Sequence, residues 1–257
     1  EGIEKEVAIK RVLPQLTRDE KFIAMFLDEA RLSMHLNHAN IVQVFDVGRA
    51  DQTYFIVMEF VNGFNLRKIF QQANERNVSV PIEIAVYIAM KVCDGLGYAH
   101  EKKDSDGRPL HIVHRDVSPP NALVSRSGEV KLTDFGLAKA VSQMEETDPG
   151  IVKGKFSYLA PETAGGKDVD HRADIFAVGI ILFELLTNRR LFLGATDAET
   201  VELVEAAEIP SISKLNPDVP RELQLILEEA LARSPKNRFP SAKVFSQRLA
   251  SWLASEN

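Results

Sequence analysis

The segment His114 to Gly136 reads HRDVSPPNALVSRSGEVKLTDFG. It sets an Asp (Asp116), an Asn (Asn121) and a second Asp (Asp134) at fixed offsets around the short apolar run Ala122-Leu123-Val124. Read blandly, this is a strand with a few polar loop residues. Yet His114, Arg115, Asp116, Asn121, Asp134, Phe135 and Gly136 together form a specified set. At ordinary residue usage such a set arises by chance about once in 10^9 starting points.

The stretch resembles the catalytic and metal-binding loops of protein kinases. The resemblance implies that Asp116 orients the acceptor hydroxyl and takes its proton, while Asn121 and Asp134 hold Mg2+ against the phosphates of ATP. Phosphoryl transfer asks for alignment and neutralised charge more than covalent chemistry, so a base and two metal ligands suffice as a core. Small-molecule phosphotransferases are the nearest confounder. They usually carry Gly where this chain has Arg115, and they lack the segment that ends here in Ala160-Pro161-Glu162.

Composition sets the outer limits. The chain has 257 residues, 45% apolar and 26% charged, which is ordinary globular usage. A net charge of −6 argues against nucleic acid or an anionic membrane as a general partner. The single cysteine, Cys93, sits on what reads as the apolar face of a helix and is expected to be buried and inert. The six histidines show no zinc-type spacing. No signal peptide and no run of eighteen apolar residues is present, so no membrane segment is expected within the chain, which is placed in the cytoplasm, by itself or as the cytoplasmic domain of a larger, membrane-anchored protein. The longest apolar stretch, Ile175 to Leu186, contains Glu184 and suits a helix at the centre of a domain. The chain opens at Glu1 without a methionine and reads as a fragment.

Upstream, Lys5 to Leu13 alternates as a strand and contains VAIK, whose Lys10 matches the lysine that touches the α and β phosphates. Thr17 to Glu20 reads as a capping box, opening a helix whose Glu29 matches the glutamate that pairs with that lysine. Two strands are expected over Ile41–Gly48 and Thr53–Phe60. By resemblance Met58 is the gatekeeper, the backbone of Glu59 and Val61 bonds adenine, Asn65 lies near the ribose, and Ala8 and Leu123 sandwich the ring. Asn62-Gly63 is expected to turn the chain between lobes.

Downstream the pattern is mainly helical. Ile82 to Lys102 leads into an insertion over 102–111, KKDSDGRPLH, expected as a surface loop. Further helices are expected near Asp197–Ala207, Arg221–Arg233 and Ser241–Ala254. Asp174 matches the residue that anchors the catalytic loop, and Arg238 the partner of Glu162. Two departures stand out. Ser118 occupies the place of a lysine that reaches the γ-phosphate, and Lys155 occupies the place of a threonine that would face it. Lys155 is therefore expected to supply the charge that Ser118 lacks. Arg115 before Asp116 implies control by phosphorylation of the segment that follows Gly136, with Thr147 preferred over Ser142. Pro120 stands where an acidic residue often selects basic substrates.

The expected fold is α+β and two-lobed: residues 1–61 as a small antiparallel-sheet lobe with one helix, and 62–257 as a larger helical lobe. Only Gly2 precedes Lys10, so the glycine-rich loop that covers the phosphates is missing from this sequence: either the sequence is a piece of a longer kinase, the preferred reading, or the protein lacks this cover and binds nucleotide weakly. The expected activity is that of a bacterial, eukaryotic-like serine/threonine protein kinase using ATP and Mg2+. Its partners are protein hydroxyls, with self-association for autophosphorylation. The alternative is a pseudokinase that holds partners without catalysis.

Overall fold

The computed structural model describes residues 5–50, 53–135 and 156–255. Alternating side chains from Val7 to Arg11 form β1, the edge of a three-stranded antiparallel sheet ordered β1-β3-β2, with β2 at Val44–Ala50 and β3 at Thr53–Glu59. The register sets Ala8 opposite Met58 and Lys10 opposite Ile56. Helix α1, Glu20–Met34, closes the inner face of this sheet. Its buried residues Phe26, Glu29, Ala30 and Ser33 recur at the three- and four-residue spacing of one helical face. Phe26 and Ala30 meet Val12, Val44 and Ile56 in a compact apolar cluster.

The start of α1 differs from the sequence expectation. Its N-cap is Asp19, whose carboxylate accepts the Phe22 N–H at 2.9 Å. Thr17 instead donates its hydroxyl to the Pro14 carbonyl at 2.7 Å, closing the short 3-10 turn Pro14–Leu16. Both residues are good caps, and the proline turn claims the first of them. At the expected Asn62-Gly63 turn the chain bends at Asn62, while Gly63 already belongs to a strand. Gly63 opens strand β4, Gly63–Asn65, which pairs with β5, Ala122–Ser125, itself paired with β6, Val130–Leu132. A Cβ at Gly63 would lie 2.0 Å from the Val124 carbonyl oxygen, so the close approach of β4 to β5 requires glycine there.

Asn65 then caps α2, Leu66–Arg76, by accepting the Lys68 N–H at 2.9 Å. The remaining body is helical: α3 (Ile82–His100), α4 (Pro161–Ala164), α5 (Arg172–Thr187), α6 (Asp197–Ala206), α7 (Ile212–Leu215), α8 (Arg221–Ala230) and α9 (Ala242–Ser255). Helix α5 is buried without interruption from Ala173 to Leu186, and α3 packs against both α5 and α9. Phe245, Leu249 and Trp252 of α9 are buried in that core, as is Cys93 of α3. Burial pushes the Cys93 thiol well up, as suits an inert side chain. The 102–111 insertion is largely exposed. It folds on itself through Asp104, which accepts the Asp106 and Arg108 N–H groups at 2.9 Å each.

Candidate active site

Asp174 organises the loop that carries Asp116. From the buried start of α5, its Oδ2 accepts the His114 N–H and its Oδ1 the Arg115 N–H, each at 2.8 Å. His100 Nε2 adds a third contact at 2.8 Å. Burial alone would raise this carboxyl, but the hydrogen bond and charge of His100, reinforced by His114, hold it below its ordinary range. These bonds keep Arg115 in the left-handed region at φ 65, a conformation that costs about 1–3 kcal/mol for a residue with a Cβ.

His114 joins this loop to the segment after β6. Its buried ring accepts the Asp116 N–H at Nδ1, 3.2 Å away, so Nε2 carries the proton and donates to the Thr133 carbonyl at 3.0 Å. The ring also lies 4.4 Å from that of Phe135. Asp134 follows Thr133 with φ 63, a second left-handed residue. One histidine thus couples the two strained turns that present Asp116 and Asp134.

Asn121 donates through Nδ2 to the Asp116 carbonyl at 2.9 Å and to Asp116 Oδ2 at 2.8 Å. Committing Nδ2 in this way turns the amide oxygen to the other side. Lys10 crosses from β1 to meet Asp134 Oδ1 at 2.7 Å and stands 3.9 Å from Glu29 Oε1. The expected Lys10–Glu29 pair is thus the looser of the two, and Asp134 is the close partner. Burial raises the Glu29 carboxyl to about 8, opposed by Lys10 and reinforced by Asp134 and Asp116. Glu29 Oε2 is buried without a hydrogen-bond partner.

The residues expected around the nucleotide base fall on or beside the strands of the two sheets. Ala8 faces Met58 across β1 and β3, Leu123 lies on β5 between the Lys131 and Asn65 positions, and Asn65 ends β4. The Glu59 side chain is committed to structure, accepting the Gln43 N–H at 3.2 Å and pairing with Lys131 at 3.0 Å. Val61 lies between Glu59 and β4, partly buried. Ser118 is buried and donates to the Asp116 carbonyl at 3.3 Å. Lys155, Ser142, Thr147 and Gly136 lie outside the described residues.

The donor set suits Mg2+ with a polyphosphate. Asn121 and Asp134 would supply oxygen ligands, and the ion's preference for one or two protein oxygens completed by phosphate and water matches so small a set. Among the described residues, no group of three His, Cys, Asp or Glu side chains forms a self-sufficient metal site.

A cavity of about 620 Å3 adjoins Asp116 and is walled by Tyr158, Leu159, Thr163, Val169 and Val201. Two side-chain networks adjoin residues of this wall. Arg238 makes a two-pronged pair with Glu162, both bonds at 2.7 Å. Tyr158 donates to Glu184 at 2.7 Å, while Arg190 Nε lies 3.3 Å from the other oxygen of Glu184. Sequence reasoning missed the His100–Asp174 and Tyr158–Glu184 bonds. A carboxylate in the midst of an apolar helix was the available signal for Glu184; His100 carries none.

Comparison with known proteins places these features. The family model described as "Protein kinase domain" matches residues 1–250. The "Tyrosine-protein kinase MasK" of Myxococcus xanthus is 42% identical over 254 residues, 99% of this chain and 39% of that protein. The "Serine/threonine-protein kinase PrkC" of Bacillus subtilis is 36% identical over 241 residues, 94% of this chain and 35% of that protein. The chain therefore spans well under half the length of these relatives. Among solved structures, the Mycobacterium tuberculosis PknI kinase domain superposes with a TM-score of 0.71 at 27% identity, covering 95% of this chain and 85% of that one.

Proposed function

The chain belongs to the protein kinase family, and on that footing we propose that it transfers the γ-phosphoryl group of ATP to serine and threonine hydroxyls of protein substrates. Asp116 is the base. Its carboxylate, oriented by Asn121 at 2.8 Å, accepts the proton of a hydroxyl entering from the adjoining cavity. Lys10 binds the α and β phosphates, with Glu29 behind it. Asn121 and Asp134 hold Mg2+, which when bound neutralises charge on the phosphates. Ala8, Met58, Leu123, Asn65 and the backbone of Glu59 and Val61 form the nucleoside site. Lys155 supplies the cation that the Ser118 position lacks.

The observation that carries this reading is the convergence of Lys10, Asp134, Asn121 and Asp116 in one linked cluster, although Lys10 and Asp134 are 124 residues apart. A module that only held partners would have no use for a base hydrogen-bonded to a metal-type amide. The domain acts in the cytoplasm, where ATP is available. Self-association delivers one copy's segment to another for autophosphorylation, on Thr147 or Ser142. Among the described residues no helix is long and apolar enough to cross a membrane.

A second reading, a tyrosine acceptor, is favoured by the printed name of the 42% identical relative. Phosphoamino-acid analysis of a generic acceptor protein after incubation with magnesium and ATP separates them. Phosphoserine and phosphothreonine are expected. Phosphotyrosine alone would move the assignment to the second reading, and no transfer at all would return the binding module.

A further inference from the structure

The cavity beside Asp116 encloses about 620 Å3, inside the span of about 300–1,000 Å3 typical of pockets that enclose a small ligand. Its walls come from separate pieces of chain. The 3-10 turn Phe156–Tyr158 runs on into Leu159, α4 and the loop after it bring Ala164 and Val169, and α6 brings Val201. Helix α6 packs on both that turn and α4, which fixes Val201 against them. Ala173 and Ala177 line the cavity from α5. They stand four apart on one face of that helix, both buried, and their short side chains leave the space open.

The buried polar groups of this lining are engaged within the chain. Tyr158 donates its hydroxyl to Glu184 at 2.7 Å, and Asp174 serves His100 and the His114 and Arg115 N–H groups. Thr163, half-buried, adds a methyl and a hydroxyl. The exposed residues of the lining are Arg115, Lys167 and Asp168, and with Asp116 they carry two charges of each sign. A charged side chain of either sign gains little from so balanced and solvated a rim. A neutral polar one gives up its water where Tyr158 and Asp174 are already taken, whereas an apolar one gains by burial.

We infer that the acceptor cleft selects a large apolar side chain next to the hydroxyl that is modified, with Val169 and Val201 as the specificity-determining residues. This names the substrate class of the phosphotransfer proposed above and rests on it. The cavity holds the flanking side chain while Asp116, in the same lining, meets the hydroxyl. Size and polarity decide the fit, and charge does not.

The test uses peptides that differ in one residue beside the acceptor hydroxyl, on either side: Leu, its polar near-isostere Asn, Ala, Asp or Lys. Each is followed by kcat/KM and by fluorescence anisotropy. The Leu peptide is expected to exceed the Ala and Asn peptides by at least about tenfold, the lower end of what one methylene decides in an apolar pocket. That margin should persist in added salt, and the Asp and Lys peptides should be equally poor. Val201→Phe narrows the cavity and is expected to erase or reverse the Leu-over-Ala order, whereas Leu203→Phe, exposed on the same helix, retains it. Val169→Phe gives the same reading should Val201→Phe fail to fold by circular dichroism. Equal treatment of Leu and Asn peptides by the wild type, or an unchanged order in a folded Val201→Phe or Val169→Phe protein, would overturn the inference. Absence of turnover with every peptide would count against the phosphotransfer reading; anisotropy reads binding alone and still decides the apolar preference.

Discussion

Lys10 Nζ lies 2.7 Å from Asp134 Oδ1, an ion pair that ties the first strand of one sheet to the turn after the last strand of the other. Each partner is about a quarter exposed, so the pair is reachable by a polyphosphate and its cation, which would compete for both charges. Lys10→Met is therefore expected to lower kcat/KM by about 10^2 to 10^3-fold, the scale for deleting one preorganised donor at a developing charge. Asp134→Asn should abolish magnesium dependence along with activity. Steady-state kinetics across a magnesium titration check both, and a near-wild-type rate in Lys10→Met would remove Lys10 from the site.

Glu29 predicts a pH dependence of stability. Its carboxyl is raised from 4.5 to about 8 by burial, so the folded ligand-free protein keeps a proton that the unfolded chain releases. The folded state binds more protons across that interval, and the contribution is complete below 4.5 and lost as pH rises through about 8. Urea unfolding midpoints should fall across this window in the wild type and fall less in Glu29→Gln. An identical slope in both proteins would contradict the assignment.

Asp174 serves three donors at once, two of them backbone N–H groups of the loop before Asp116. Asp174→Ala leaves these buried donors without an acceptor, which costs about 3–5 kcal/mol. Thermal unfolding should show a large drop in midpoint. Asp174→Asn keeps shape and one acceptor, so it should recover much of the stability while Asp116 remains poorly placed, lowering kcat more than it raises KM.

Arg238 and Glu162 form a buried two-pronged pair. Removing one partner strands a buried charge, and Arg238→Ala is expected to destabilise by about 3–5 kcal/mol. Arg238→Met combined with Glu162→Leu should be milder than either single change. A double-mutant cycle by chemical denaturation measures the coupling, and additive losses would show that the pair is not coupled.

Ser118 donates to the Asp116 carbonyl and brings no charge to the site. If Lys155 supplies it, Lys155→Ala should lose far more activity than Lys236→Ala on the surface, and Lys155→Ala with Ser118→Lys should regain part of the loss. A wild-type rate in Lys155→Ala would end the exchange proposal.

How much was legible in the sequence follows from which interactions are local. Strand β1, helix α1, the buried helix α5 and the order of the cleft residues could all be read, because hydrophobic periods and fixed offsets mark them. The helix start at Asp19 could not, since two adequate caps stood two residues apart and a proline turn chose between them. The closeness of Lys10 to Asp134 instead of Glu29 depends on how two sheets and a helix settle, which no spacing encodes. His100 looked like an ordinary helix-end histidine, and only folding brings it to Asp174, 74 residues away. Non-local polar bonds of this kind are paid for by burial of both partners, and burial is a property of the whole core.

The central claim is that Asp116 acts as the base of a phosphoryl transfer. Intact mass and phosphopeptide mapping after incubation with magnesium and ATP, beside an Asp116→Asn control, test it most directly. Phosphate gained by the wild type and absent from Asp116→Asn is the predicted result. Equal incorporation in both proteins would contradict it.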